Sequence, residues 1–393
     1  MAVTRIGILT GGGDVPGLNS IIKSVVYRAS ELGWEVLGIR RGWMGLTHLG
    51  PESTDDRRFV VPLDRRNTRA IDRTGGTILH TSRTNPARMP AQALPEHLDP
   101  ARRISLQTDA DRYDLTPLVL ENLERLGVTH LVPIGGDDTL GYADRLCREG
   151  VPLVAIPKTM DNDVQGTEYC VGFSTAITRA KELINRQRTT LGSHERIGIF
   201  RIFGRNSGYS AWYAAYVTST RCVIPEAPFD LDRLAALLTE DRDANPSSYA
   251  LVIASEGAIW EGGTLEEFGE ADAYGHRRPA DIGVALADEL HARTGVETVH
   301  SDLTYDLRSG DPDALDQMVA TTFANVAVDL LSSNVHGRMV AIRDGKYAHA
   351  PLPDPAKGAR HIDVESMYST ERFRPRYADR LGMPLLLGQS IGS

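Results

Sequence analysis

The chain has 393 residues, 41% of them hydrophobic and 24% charged. That fits two domains or one large unit with insertions, and excludes a disulfide-stapled module or a disordered chain. A formal net charge of −9 provides no global basic field for counterion-release binding, so no nucleic-acid partner is expected.

No stretch approaches 18 uncharged apolar residues and the start lacks the pattern of a secretory leader, so no membrane partner is expected and the expected location is cytoplasmic. Cys147, Cys170 and Cys222 are odd in number and spaced unlike metal ligands, as buried thiols of a reducing compartment are. Of the 43 basic residues only five are lysines, so a lysine in a special context carries extra interest.

In chain order, aliphatic and β-branched runs predict strands at Arg5–Leu9, Glu35–Ile39, His130–Ile134, Leu153–Ile156, Arg196–Ile202, Ala250–Ala254 and Met339–Ile342. Amphipathic stretches predict helices at Leu18–Glu31, Leu115–Leu126, Ser174–Arg188, Leu231–Leu238, Ile282–Arg293 and Ala314–Leu331. The alternation argues an α/β protein with mainly parallel sheets, in which ligands belong at the carboxyl ends of strands. About Pro51–Asp111 and about Glu261–Arg278 read as insertions or long loops, and the tail after Pro351 reads as a surface wrap.

The first strand runs into LTGGGDVPGLN, where Gly11, Gly12 and Gly13 allow close backbone approach to a ligand and the next helix offers free N–H groups. It is not a Walker loop, because Leu18 and Asn19 stand where Lys and Ser/Thr belong, and it also reads as a tight strand-to-helix turn. The strand LVPI ends in GGDDT, placing Asp137, Asp138 and Thr139 at a helix start. These are oxygen ligands suited to Mg²⁺, or simply a charged helix cap. LVAI ends in PKTMDND, with Lys158, Thr159, Asp161 and Asp163. Two carboxylates beside a lysine suit phosphoryl transfer, one as base and the cation neutralising charge, although DND alone is also a solvated turn. Arg83, Arg196, Arg205 and Arg308 are candidate anion forks, and Glu256 in SEG is a candidate acceptor of sugar hydroxyls.

The ordered set GGD-PG-N, SR, GGDD, PKTMDND, SHERI, FGR, SEG and LRSGDP resembles the phosphofructokinase family in its bacterial and pyrophosphate-dependent form, from the first strand to about Leu331. The resemblance implies two similar α/β lobes with mainly parallel sheets and an active site in the cleft between them. It implies Mg²⁺-dependent phosphoryl transfer to the 1-hydroxyl of fructose 6-phosphate, and assembly as a homodimer or homotetramer. Approximate boundaries are a phosphoryl-donor lobe over 1–160, a sugar-phosphate lobe over 161–335 and a segment over 336–393 packing back on both.

Carried over by motif, the resemblance puts Gly12, Gly13, Asp138, Thr139 and Lys158 on the donor and Mg²⁺ on Asp137. Asp161 is then the base, Asp163 supports the metal, Thr159 contacts the transferring group and Arg83 stabilises its charge. Arg196, Tyr305 and Arg308 fall at the sugar 6-phosphate, and Gly204, Arg205 and Glu256 around the sugar. ATP-using relatives typically carry glycine at the positions of Asp138 and Lys158. The carboxylate here crowds an α-phosphate and the lysine suits a pyrophosphate oxygen, while Tyr142 fills nucleotide space. The pyrophosphate-dependent class is therefore expected. The alternative is an ATP-dependent enzyme with Trp43 stacked on adenine, or a pyrophosphate-dependent kinase of another acceptor such as sedoheptulose 7-phosphate. Phe203 stands where the family usually has Met, and Val299 where an arginine commonly reaches a neighbouring subunit's sugar phosphate; both keep the acceptor open.

Overall fold

In the computed structural model, which describes residues 3–262, 281–378 and 381 with the backbone of 267–268 and 278–279, the aliphatic runs assemble into two sheets with parallel cores. The first begins with β1 (Arg5–Thr10), β2 (Glu35–Ile39), β3 (Val60–Leu63), β4 (His130–Gly135) and β5 (Val154–Pro157). The second consists of β6 (Ile197–Ile202), β7 (Arg221–Val223), β8 (Ala250–Ser255) and β9 (Thr298–Asp302). The chain then returns to the first sheet as β10 (Arg338–Arg343) and β11 (Lys346–Pro351).

The first sheet has the order β11-β10-β5-β4-β1-β2-β3, its inner five strands parallel and each edge strand antiparallel. The second has the order β7-β8-β6-β9 and is parallel throughout. Helices on both faces explain why β8 is buried along its whole length and reads as an unbroken apolar run.

The longer helices are α1 (Leu18–Glu31), α2 (Thr116–Arg125), α3 (Asp137–Arg148), α4 (Phe173–Ser193), α5 (Tyr209–Thr218), α6 (Leu231–Ala244), α7 (Ile282–Thr294) and α8 (Ala314–Ser332). None in the described residues is long and apolar enough to cross a membrane. In the first sheet the order reverses at β1: α1 leads to β2 on one side, while β4 lies on the other. That switch point opens a crevice at the carboxyl ends of β1 and β4, where the glycine turn and the Asp137–Asp138 pair sit.

Pro51–Asp111 is not a plain loop. It holds β3, several 3₁₀ turns, a short helix over Pro100–Leu106 and two strands of a small three-stranded ribbon that Arg112–Tyr113 completes. The stretch expected as a loop at Glu261–Arg278 lies almost wholly outside the described residues.

A buried carboxylate locks α8 to the start of α4. Asp316 of α8, fully inaccessible, accepts hydrogen bonds from Tyr169 Oη (2.6 Å), Gly172 N (2.8 Å), Thr175 N (2.8 Å) and Thr175 Oγ1 (2.6 Å) at the start of α4. Asp316→Ala strands these donors in an apolar environment. We expect it to lower stability by about 3 kcal/mol, read as a shifted midpoint in chemical denaturation.

Candidate active site

The glycine turn is held open by side chains that cross it. A Cβ at Gly13 would overlap Arg308 Nη1, and one at Gly12 would lie 3.2 Å from Lys158 Nζ. Gly12 also adopts φ +76, a value that favours glycine. The turn is fixed from behind by Gly12 N donating to Ser82 O (3.0 Å) and Thr81 Oγ1 donating to Gly12 O (2.6 Å), which carries the 81–83 segment, and with it Arg83, to the same place.

Thr139 packs between Gly11 and Gly135, where a Cβ on either glycine would overlap it. Its side chain is buried, so it supports the two strand ends from within rather than presenting its hydroxyl at the surface. Asp137 and Asp138 begin α3, where the helix dipole favours negative charge.

Lys158 continues directly from β5 and is 4% exposed. Burial first, and then the charge of Arg308, lower its ammonium to about 8, with Asp14 and Asp138 pulling the other way and Arg83 adding to the repulsion. Three cations and two carboxylates thus converge on Gly12. Asp161 feels the charge of cations from the same group. Burial, then the charges of Asp163 and Glu256, push its carboxyl well up, opposed by Arg308 and Lys158. Asp161 Oδ1 is buried without a hydrogen-bond partner, and Thr159 Oγ1 accepts from Asp161 N (3.1 Å) to shape the turn.

The second sheet supplies the opposite wall. Gly204 (φ +131) and Gly257 let the turns after β6 and β8 interlock: Gly204 O accepts from Ser255 Oγ (2.6 Å) and Gly257 N (3.1 Å), and a Cβ at Gly257 would overlap Arg205 O. This places Arg205 and Glu256 together, and burial pushes the Glu256 carboxyl up against the pull of Arg201, Arg205 and Arg308.

Arg308 spans the cleft. Its Nη1 donates to Asp14 O (3.1 Å), and its guanidinium lies 4.2 Å from the Phe203 ring centre. The aromatic ring at this position thus has a clear job, supporting the arginine by a cation–π contact. Tyr305 packs edge-on with Phe203, at 5.9 Å, and is 80% exposed.

SHERI and FGR flank one strand, and the structure accordingly separates Arg196 from Gly204 and Arg205. Arg196 precedes β6 while Gly204 and Arg205 follow it, so the strand's length, about 20 Å, lies between them. Arg196 Nε donates to Glu297 (2.7 Å) at that far end, and Val299 pairs with Gly198 nearby. Within one chain neither reaches the cleft.

Trp43 does not face an open subsite either. It is 1% exposed and packs edge-on against Tyr142 at 4.9 Å, so it is core. Sequence reasoning also missed Arg201, which joins Glu256 (3.4 Å) and Asp302 (2.9 Å). Its place two residues before Phe203-Gly204 at the end of a strand was the available signal.

Beside the carboxylates lies a cavity of about 370 Å³ lined by Asn85, Asp137, Asp138, Tyr142, Asn206 and Pro355. Pro355 comes from the C-terminal segment and abuts Gly141, where a Cβ would lie 2.9 Å from its ring. A larger cleft of about 930 Å³, lined by Arg5, Trp34 and Arg65, opens away from all these groups, beyond the amino-terminal ends of β1 and β2.

Among the described residues no group of three or more His, Cys, Asp or Glu could hold a metal alone. Magnesium commonly binds through one or two carboxylates plus substrate phosphates. Asp137, pushed up to about 7 by burial and then by the charges of Asp163 and Asp138, is a carboxylate short of positive charge, and the pair Asp137 and Asp163 fits a hard cation of this kind.

Comparison with known proteins agrees with this geometry. The family model described as Phosphofructokinase matches residues 5–331. The chain is similar to the pyrophosphate--fructose 6-phosphate 1-phosphotransferase of Streptomyces coelicolor, 37% identical over 364 residues, covering 91% of this chain and 96% of the relative. It is similar to the ATP-dependent 6-phosphofructokinase 3 of the same organism, 36% identical over 361 residues with the same coverage of 91% and 96%. Among solved structures, the pyrophosphate-dependent phosphofructokinase of Nitrosospira multiformis superposes with a TM-score of 0.74 at 15% identity, covering 95% of this chain and 89% of the other.

Proposed function

The chain belongs to the phosphofructokinase family, and from that premise we propose that it transfers a phosphoryl group from pyrophosphate to the 1-hydroxyl of fructose 6-phosphate, reversibly, with Mg²⁺. Relatives of both donor classes match almost equally well, so overall similarity does not choose between donors and a few residues must. The observation that carries the reading is Lys158, a buried ammonium over Gly12 beside Asp138. It suits a compact diphosphate, while Asp138, Tyr142 and Pro355 occupy the space beyond.

In this reading the donor lies on the glycine turn under Lys158, Arg83 and Arg308. Bound Mg²⁺, held by Asp137 with Asp163, supplies neutralising charge at its phosphates. Asp161 takes the proton of the 1-hydroxyl as that oxygen bonds to phosphorus, the bridging P–O bond breaks and phosphate leaves. Glu256 and Arg205 hold the sugar, with Tyr305 and Arg308 toward its 6-phosphate. The exposed Tyr305 and the remote Arg196 support a homodimer or homotetramer in which Arg196 serves a neighbouring chain's acceptor site. Three free cysteines support a place in the cytoplasm.

Saturating pyrophosphate or ATP with Mg²⁺, tested against fructose 6-phosphate and sedoheptulose 7-phosphate, is the deciding assay. We expect rapid turnover with pyrophosphate and fructose 6-phosphate. Efficient turnover with ATP and none with pyrophosphate overturns the donor assignment, and preference for the seven-carbon sugar overturns the acceptor.

A further inference from the structure

The turn that carries Asp161 and Asp163 has an unusual backbone. Asn162 between them has φ +54, a left-handed value that asparagine adopts more readily than other non-glycine residues. Buried carbonyls in such a turn need donors. Asn162 uses its own side chain for part of the work, accepting from Cys170 N (2.8 Å) and donating to Glu168 O (3.0 Å).

The Asn162 and Asp163 carbonyls, and that of Thr167 beyond the turn, are met by one residue from the far end of the sequence. Arg360 N donates to Asp163 O (2.6 Å), Arg360 Nη2 to Asn162 O (2.9 Å) and Arg360 Nη1 to Thr167 O (2.8 Å). Its guanidinium lies 4.4 Å from the centre of the Tyr209 ring, at the start of α5 in the second lobe.

The neighbours of Arg360 extend the same connection. Tyr209 Oη donates to His361 O (3.0 Å), and Glu226 Oε1 accepts from both Ile362 N (2.9 Å) and Gly208 N (2.8 Å). Ser210 Oγ donates to Met160 O (2.8 Å). Residues 360–362 thus fasten the Asp161–Asp163 turn to the segment that continues from Gly204, Arg205 and Asn206. Arg360 itself is 9% exposed and does not line the donor-side cavity, whose wall takes Gly358 and Ala359 from the same segment.

We propose that Arg360 is a positioning residue for phosphoryl transfer: it holds the Asp161–Asp163 turn in its left-handed form and in register with the acceptor-side loop. This rests on the phosphotransferase reading above. Displacing a reacting group by about 1 Å can cost a hundredfold in rate, and no other described side chain bridges the Asn162 and Thr167 carbonyls. A residue that only stapled the fold would change stability and leave turnover per folded molecule untouched.

The test compares wild type, Arg360→Met and Arg360→Lys by steady-state kinetics and thermal melting, with whichever donor the wild type uses. Methionine keeps an apolar stem over Tyr209 and loses all the side-chain donors. We expect kcat to fall about a hundredfold, KM for donor and acceptor to stay within about threefold, and lysine to restore about tenfold by recovering one carbonyl bond. Unchanged kcat in folded Arg360→Met, or a rise in KM alone, overturns the inference while leaving the phosphotransferase reading intact. If the methionine variant does not fold, Arg360→Lys decides: a kcat loss at constant KM supports the proposal and full kcat overturns it. Wild type inert with both donors overturns reading and inference together.

Discussion

Asp161→Ser lowers turnover by about three to four orders of magnitude while the dissociation constant of pyrophosphate changes by less than about threefold. The carboxylate is buried, its Oδ1 has no partner within the protein, and burial with the charges of Asp163 and Glu256 raises its proton affinity. A raised value makes the ionised group a stronger base, and leaves it poised for the one proton that the acceptor hydroxyl brings. Lys158 and Arg308 pull in the opposite direction, so the base regains ionised character only where the cations of the donor site are in place.

The sign of the pH effect follows. As pH falls through the Asp161 value the protonated form accumulates and turnover drops, so the wild-type profile has an acid limb. The serine variant keeps only its small residual rate, without that limb. Stability should hold or rise, because the substitution removes a carboxylate whose charged form the site disfavours. Steady-state rates over a pH series and calorimetric titration of pyrophosphate check both parts. Near-wild-type turnover in the serine variant removes Asp161 from the base role.

Much of this site was legible before the structure because parallel α/β sheets put ligands at strand ends, and the strand-end motifs are local. The helix Leu18–Glu31 and the strand Glu35–Ile39 have the bounds that their periodicity predicts. The misses have separate physical causes. α5, YSAWYAAYVT, is apolar nearly all round and buried, so no amphipathic period marks it. β11 was overlooked although Asp344 (φ 51) and Gly345 (φ 71) form the tight turn that an Asp-Gly pair between strands announces.

The motif around Arg196 leaves open which chain's cleft it serves. Its motif neighbours Gly204 and Arg205 in sequence, but a strand converts that short separation into a large distance. Arg360 was beyond local reading altogether, since its partners lie nearly 200 positions earlier in the chain and nothing in the tail's composition points to them. Trp43 shows the converse case, an aromatic side chain near a ligand motif that fills the core, as such a tryptophan more often does.

Replacing Asp138 and Lys158 together by glycine lowers kcat/KM for pyrophosphate by about a hundredfold and raises that for ATP. Lys158 Nζ stands over the glycine turn in a site nearly closed to water, where a charge-assisted bond to phosphate contributes about 1.5–3 kcal/mol. Removing Asp138 from the first turn of α3 takes away a carboxylate that repels an α-phosphate and frees its volume. Tyr142 and Pro355 still line that cavity, so the gain with ATP stays well below the loss with pyrophosphate.

Lysine binds the donor only as the ammonium, and burial has lowered its value to about 8. The free protein therefore loses this proton as pH rises through about 8, and KM for pyrophosphate should climb up to about tenfold per pH unit beyond it. Pyrophosphate's own ionisation is common to wild type and Lys158→Met, so the ratio of their KM values isolates the lysine. That ratio should be large at neutral pH and shrink toward one in alkali. A flat ratio, or a double glycine variant undiminished with pyrophosphate, would move the choice of donor from these two residues to the Tyr142–Pro355 wall.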